Sequence, residues 1–409
     1  MKIDTMRRID HLAGVPLCFL ATLIVRLLDL LGGRRPVSPR KILFVELSEM
    51  GSAVLADPAM RKSRRWWDAE LHFVIFANNV ASLRLLGTVP EANIFTIRAD
   101  NLTTLALDTL RFLFWTRRRG IDTVIDLELF SRYSALLTGL SGAPNRVGFH
   151  AFNDEGLYRG AMLTHRVAYN PHQHIAKNFI ALVNALIAPK PELPYSKTRI
   201  DDEEIRLAQA AVTDEAREAM RARIREACPA YDASRHRLLL VNPNASDLLP
   251  QRRWLPQHFV TVMQALLAEN PDLLILITGA PNERESAAAL QAQVADPHCV
   301  NFAGCHRLED LPALYHLAAA MLTNDSGPGH FSAVTPLRTF VLFGPETPKL
   351  YGSLGNSTPI YAALACSPCV SATNHRKTPC TDNVCLQVIE PAQVLDHLRQ
   401  ALTEGSRPT

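Results

Sequence analysis

The chain has 409 residues, of which 47% are hydrophobic and 20% charged, with a formal net charge of +3. That length exceeds one ordinary core, so two domains are expected. The near-balanced charge makes no case for a nucleic-acid partner, and eight cysteines in so long a chain exclude a disulfide-stapled secreted scaffold and favour a reducing compartment.

The N-terminal stretch "HLAGVPLCFLATLIVRLLDLLGG" (11–33) is apolar but carries Arg26 and Asp29. Its charge-free part, Leu12 to Val25, is shorter than the roughly 20 apolar residues of a membrane span. Arginines flank it, and no small-residue cleavage site follows. Residues 1–40 are therefore read as an N-terminal apolar helix that associates with a membrane surface. A helix packed on the first domain and a true span are the alternatives.

A strand–helix rhythm begins after the Pro-containing basic link. Strands are expected at 41–47, 69–77, 93–99 and 121–129, with helices at 101–119 and 172–187. This alternation predicts an α/β fold with a parallel sheet covered on both faces. The Pro-rich "APKPELPYSK" (188–197) and a charged, Ala-rich stretch (201–227), expected to be one long helix, mark a link. A second series follows, with strands at 236–243, 272–279, 298–304, 319–325 and 337–344 and a closing helix at 391–402. The expected division is 41–195 for the first domain, 196–235 for the link and 236–409 for the second domain.

In such sheets ligands bind beyond the carboxyl ends of the strands. Three loops of the second series leave such ends. "NPNASDLLPQRRW" supplies Asn244 and Ser246 as donors and Arg252 and Arg253 as phosphate-neutralising guanidinium groups. "TGAPNERE" offers Gly279 for a tight turn and Glu283 for ribose hydroxyls. "TNDSGPGHF" offers Asp325 or Ser326 as a helix cap, Gly327 for a close backbone approach to an anion, and His330 in the first turn. Taken singly, each is an ordinary cap, surface charge or structural histidine. Their order, each after a strand of the second series, points to a nucleoside diphosphate.

"NDSGPGHFSAVTPLRTFVLFGPETP" strongly resembles the signature of glycosyltransferase family 9, the bacterial heptosyltransferase family. "QRRWLPQHF" resembles that family's basic-Trp-Pro segment, and "KILFVELSEMGSAVLADPAM" its first strand and loop. "RVGF" (146–149) and "HQHIAKNF" (172–179) are similar to parts of its first domain. The resemblance runs from about Lys41 to about Leu398. It implies a GT-B fold, in which two Rossmann-like domains face each other across a cleft. It also implies inverting transfer of a sugar, such as heptose, from a nucleotide-diphosphate donor (an ADP-sugar foremost) to lipopolysaccharide core or a related lipid-linked envelope glycan. By position, Asp325, Ser326, Gly327 and His330 would hold the donor's sugar and diphosphate, and Arg252 its phosphate. The expected location is cytoplasmic, on the inner-membrane surface. No cofactor is expected for catalysis: the chain has no Asp-x-Asp, and basic side chains with a helix dipole stabilise a leaving diphosphate.

One position departs from the family. Its catalytic Asp directly follows the Gly of the first loop, but here Gly51 is followed by Ser52. A Ser hydroxyl is no general base without an activating partner, and Ser52 also reads as a helix cap. Glu49 on the same loop is the first alternative base and Asp57 the second. Glu46, Asp126 and Glu128 lie on neighbouring strand ends. A non-catalytic binding relative is the rival reading, while a dinucleotide-dependent dehydrogenase is disfavoured because "ELSEMGSAV" lacks Gly-x-Gly-x-x-Gly. Arg132, Arg146 and Lys177 are candidates for acceptor anions or for structural ion pairs. Near the C-terminus, Cys366, Cys369, Cys380 and Cys385, with His375 between them, have spacing that suits a structural zinc or a set of reduced thiols.

Overall fold

The computed structural model describes residues 3–32, 35–129, 131–153, 156–371 and 377–404. The chain divides into two compact units between Arg206 and Leu207.

Unit 1 holds six parallel strands, β1 (Lys41–Val45), β2 (Glu70–Phe76), β3 (Ile94–Ile97), β4 (Thr123–Asp126), β5 (Asn145–Phe149) and β6 (His165–Val167), in the order β3-β2-β1-β4-β5-β6. Unit 2 repeats the plan with β7 (Arg237–Asn242), β8 (Leu273–Ile277), β9 (Cys299–Asn301), β10 (Ala318–Asn324), β11 (Arg338–Phe343) and β12 (Ser357–Tyr361), in the order β12-β11-β10-β7-β8-β9. Helices cover both faces of such sheets, so central strands read as continuous apolar runs. "LLILI" of β8 is buried at every position. Each sheet reverses direction at one point, between β1 and β4 in unit 1 and between β7 and β10 in unit 2, and there a crevice opens at the strands' carboxyl ends.

Local chemistry sets the helix ends. Asn101 caps Leu102–Arg119 by accepting from the Thr104 amide at 2.9 Å, and Gly120, at φ 68°, closes it. The expected helix over 201–227 is broken. Asp202–Ile205 is a single 3-10 turn, residues 206–213 run irregularly, and the helix proper is Asp214–Ala227, started by Thr213. Ala210 donates its amide to the Val334 carbonyl at 2.8 Å, which ties the irregular stretch to unit 2.

The N-terminus forms two helices, Ile3–Leu12 and Gly14–Leu31. The second is long and apolar enough to cross a membrane, yet it packs one face on unit 1 against Ala135, Leu136, Leu140 and Met162.

Candidate active site

In unit 2 the loops after β7 and β10 lie side by side, because Asn242 pairs with Thr323 in neighbouring strands. Asn324 joins them: its side-chain amide donates to the Pro243 carbonyl at 2.7 Å and its oxygen accepts the Trp254 amide at 3.1 Å. Trp254 is fully buried, and its indole N–H donates to the Ile389 carbonyl at 3.0 Å. This anchor fixes the preceding arginines. Arg252 bridges two buried carboxylates, with Nε 3.3 Å from Asp325 and Nη2 3.0 Å from Glu346. Arg253 turns back onto the Ala245 carbonyl at 2.7 Å and pairs with Asp247. The structure thus brings Arg252 and Asp325 together as the sequence order suggested. It adds Glu346, which sequence reasoning passed over because "FGPETP" read as a continuation of the motif.

The other donor-loop residues gather around them. Asn244 donates to the Thr278 carbonyl at 3.3 Å. Gly279 sits at a close approach: a Cβ there would lie 2.8 Å from the Asn244 amide nitrogen and 2.9 Å from Glu283 Oε2, and both side chains would have to shift. Glu283 accepts the Ala280 amide at 2.6 Å, and burial pushes its carboxyl above the ordinary range. Ser246 accepts the Leu248 amide at 3.3 Å within its own turn. Ser326 precedes the short helix Gly327–Ser332, but its hydroxyl makes no cap bond and donates instead to the Asn324 carbonyl at 3.2 Å. His330 lies within that helix.

The four C-terminal cysteines are thiols. Cys366, Cys369 and Cys380 lie near enough to add to the burial that raises the Cys385 thiol to about 11. Even so, no three of them form a group that could hold a metal ion among the described residues, which leaves out His375. Cys380 Sγ is turned to the Asp382 carbonyl at 3.0 Å, while Cys385 is buried in the helix Val384–Gln387. The segment also has a structural use. Asn383 donates to the carbonyls of Arg253 at 2.8 Å and Gln251 at 3.2 Å, and Gln251 donates to the Cys380 carbonyl at 2.6 Å. It braces the loop that carries Arg252.

In unit 1 the crevice between β1 and β4 is lined with carboxylates. Glu128 accepts the amides of Leu47 (2.9 Å) and Ser48 (3.2 Å), which shapes the first loop. Asp126 accepts the Glu128 amide at 3.1 Å and pairs with Arg159, whose guanidinium also reaches Ser134 at 2.8 Å. Glu49 directly precedes the helix Met50–Leu55, and Ser52 Oγ donates to its Oε2 at 2.8 Å. Ser52 is thus not the helix cap. At the position where the resemblance puts the family's Asp, it holds a carboxylate from three residues upstream.

Asp57, the second candidate base, is fully buried in the helix Asp57–Trp67. Its oxygens accept from Arg61 at 2.8 Å and Thr88 at 2.6 Å, a bracing arrangement for that helix.

Glu46 is the most perturbed carboxyl of the group. Burial first, then Glu128 and Glu49, raise it well above the ordinary range, and it shares a hydrogen bond with Glu128. An acid raised by folding favours the folded state below its unfolded pKa, and that stability is lost as pH rises through the folded pKa. Glu46→Gln keeps the shape and removes the charge. At pH 8 it is expected to be more stable than the parent by roughly 1 kcal/mol, or about 2–4 °C for a unit of this size, with the gain vanishing near pH 4. Thermal melts across that range check this; a variant less stable at pH 8 would show that Glu46 is ionised and usefully paired.

The three basic candidates for an acceptor site are engaged within the chain. Arg132 and Arg146 are 5% and 2% exposed. Arg132 pairs with Asp10 at 3.1 Å and donates to the Tyr158 carbonyl at 2.9 Å. Arg146 pairs with Asp29 and donates to the carbonyls of Met162 and Ala143, both at 2.7 Å. This corrects the acceptor expectation for both: their guanidinium groups hold the N-terminal helices. Lys177 pairs with Asp202 at 2.6 Å, and that carboxylate is largely exposed.

The sequence pattern of glycosyltransferase family 9 (heptosyltransferase) matches residues 114–378. Lipopolysaccharide heptosyltransferase 2 of Salmonella typhimurium is 25% identical over 184 residues, 43% of this chain and 50% of that protein, so the chain spans about half the length of this curated relative. A solved E. coli ADP-heptose lipopolysaccharide heptosyltransferase II is similar at a TM-score of 0.65 and 19% identity, over 90% of this chain and 100% of that one. A glycosyltransferase family 9 structure from Veillonella parvula gives a TM-score of 0.68 at 17% identity, over 91% and 99%. Together with the two six-stranded parallel sheets, this likeness shows the GT-B fold.

Proposed function

This chain belongs to glycosyltransferase family 9 (heptosyltransferase), and from that premise we propose that it moves a sugar from a nucleoside-diphosphate donor onto lipopolysaccharide core or a related lipid-linked envelope glycan. The carrying observation is Arg252, held at the β7/β10 crevice between Asp325 and Glu346. A planar guanidinium fixed on one edge presents its remaining N–H groups to a diphosphate. Asp325, Ser326, Gly327 and His330 complete the donor side, with Asn244 and Glu283 toward the nucleoside. The donor class follows the relative described as an ADP-heptose enzyme, which makes ADP-heptose the first candidate.

Glu49 is the base. It takes the proton of the acceptor hydroxyl, whose oxygen attacks the anomeric carbon from the face opposite the diphosphate. The carbon–oxygen bond to the diphosphate breaks, the nucleotide leaves with the electron pair, and the anomeric configuration inverts. Arg252 offsets the charge on the leaving group, so no metal ion is required. Lys177, through its exchangeable pair with Asp202, remains available to an acceptor anion. The enzyme works in the cytoplasm, beside the inner membrane that carries its acceptor.

Calorimetry with ADP, UDP, GDP and CMP tests the donor side. ADP is expected to bind most tightly. Selective UDP or GDP binding would keep the transferase and discard an ADP-sugar, while no binding by a folded sample would remove the donor site. Ser52 in the family's Asp position favours a second reading, a non-catalytic relative that binds nucleotide sugar and assists envelope assembly.

A further inference from the structure

The helix Gly14–Leu31 has two unlike faces. Gly14, Cys18, Ala21, Thr22 and Val25 form one buried stripe on unit 1. The approach is close: a Cβ at Gly14 would meet the Arg132 side chain at 2.9 Å. Thr22 Oγ1 accepts the Ala161 amide at 2.9 Å. Asp10 of the preceding helix and Asp29 of this one face inward. Asp10 takes the amides of Arg132 and Tyr133 (2.9 and 3.1 Å) together with the Arg132 guanidinium, and Asp29 takes Arg146. The outer face is the opposite: Leu17, Leu20, Ile24, Leu27 and Leu31 are each about half exposed or more. Arg8, Arg26 and Arg35 are exposed with them.

A second helix continues this pattern. Leu102–Arg119 flanks the same helix, Arg132–Leu140, on which Gly14–Leu31 packs. Thr109 and Tyr133 share a hydrogen bond of 2.6 Å, and Arg117 donates to the Leu140 carbonyl at 2.9 Å. Leu107, Leu110 and Phe114 lie on one side of it at 48, 65 and 65% exposure, beside Arg111 and Arg118. Its one acid, Asp108, is buried and is paired by Arg98 and Arg111, whose own side chains stay exposed. Among the described residues, neither outer face presents an exposed acid.

We propose that these two outer faces form one docking surface for the headgroup–acyl boundary of an anionic bilayer, and that Gly14–Leu31 lies in the membrane plane without crossing it. Apolar side chains interleaved with cations and cleared of anions match such a surface in both chemistry and charge. The ion pairs to Asp10 and Asp29 rule against a span. Leaving unit 1 would strand the buried Arg132 and Arg146 and carry Arg26 and Asp29 into hydrocarbon. The 18-residue helix is also only about 27 Å long. The surface deepens the membrane association read above and does not depend on the sugar-transfer reading.

Flotation of the full chain with vesicles tests it. Binding is expected to vesicles containing phosphatidylglycerol, to weaken with salt, and to be poor with phosphatidylcholine alone. Leu110→Glu with Phe114→Glu, both exposed and outside the core, is expected to lower partitioning by at least about tenfold with ADP binding unchanged. Unchanged flotation of that variant would overturn the shared surface. Equal binding to neutral vesicles would overturn the anionic partner, and resistance to carbonate extraction would overturn the in-plane placement. A wild-type chain that ignores vesicles and elutes as a dimer would assign the surface to a second copy instead.

Discussion

Glu49→Gln is expected to lower turnover on a lipopolysaccharide-core acceptor by about two to four orders of magnitude and to leave ADP affinity unchanged. The basis is the Ser52–Glu49 hydrogen bond of 2.8 Å. It holds a half-buried carboxylate at the mouth of β1, beside the place where the family has its Asp. Of the neighbouring acids, Asp126 and Glu128 are spent on backbone amides and Arg159, Glu46 is pushed toward its neutral form, and Asp57 is bonded to Arg61 and Thr88. Glu49 accepts from the Ser52 hydroxyl, a small donor that a substrate hydroxyl can replace. Single-turnover kinetics with donor binding measured alongside decides between outcomes. Ser52→Asp in the Glu49→Gln background should recover part of the rate, because it restores a carboxylate at the family position. Full activity in Glu49→Gln would move the base elsewhere, and an inactive wild type that binds ADP would favour the binding relative.

The sequence made legible what depends on neighbours in the chain. Strands such as β1 and β8 are apolar runs because both faces are buried, so their pattern is local. β6, with three residues, and β12, a half-exposed edge strand reading "STPIY", carry too little of that signal. The stretch 201–227 looked like one helix because its acids come first and its arginines late. Thr213 and the tie from Ala210 to Val334 divide it, and the second of these is a long-range contact. The same holds at the sites. Asp325 was legible from its motif and Arg252 from its spacing to Trp254, whereas Glu346 joins them only through the β10–β11 pairing. Arg132, just after a strand end, and Arg146 looked like acceptor ligands because they are basic residues of the first unit. Their partners, Asp10 and Asp29, lie 122 and 117 residues away in sequence. Charge alone could not separate an arginine awaiting a ligand from one already committed.

Arg252→Ala is expected to damage folding and binding together, and the two losses are separable. Asp325 and Glu346 side chains are 5% and 1% exposed, and Arg252 lies between them. Removing the guanidinium leaves two buried carboxylates close together without that cation, which costs about 3 kcal/mol in comparable buried pairs. For a unit of about 200 residues that lowers the melting temperature by roughly 6–12 °C. ADP affinity should fall by about 10- to 100-fold, the loss of one charge-assisted contact to phosphate. Adding Glu346→Gln to Arg252→Ala removes one of the two charges, so it should return part of the stability and none of the affinity. Arg252→Lys should fall between, because a single ammonium cannot span both carboxylates and still meet a diphosphate. Calorimetry beside thermal melts reads both effects. If affinity returned with stability in the double variant, Arg252 would be a structural brace and the diphosphate would have another partner. If affinity stayed low while stability recovered, the guanidinium itself is the diphosphate's contact, and the two buried acids are there to aim it.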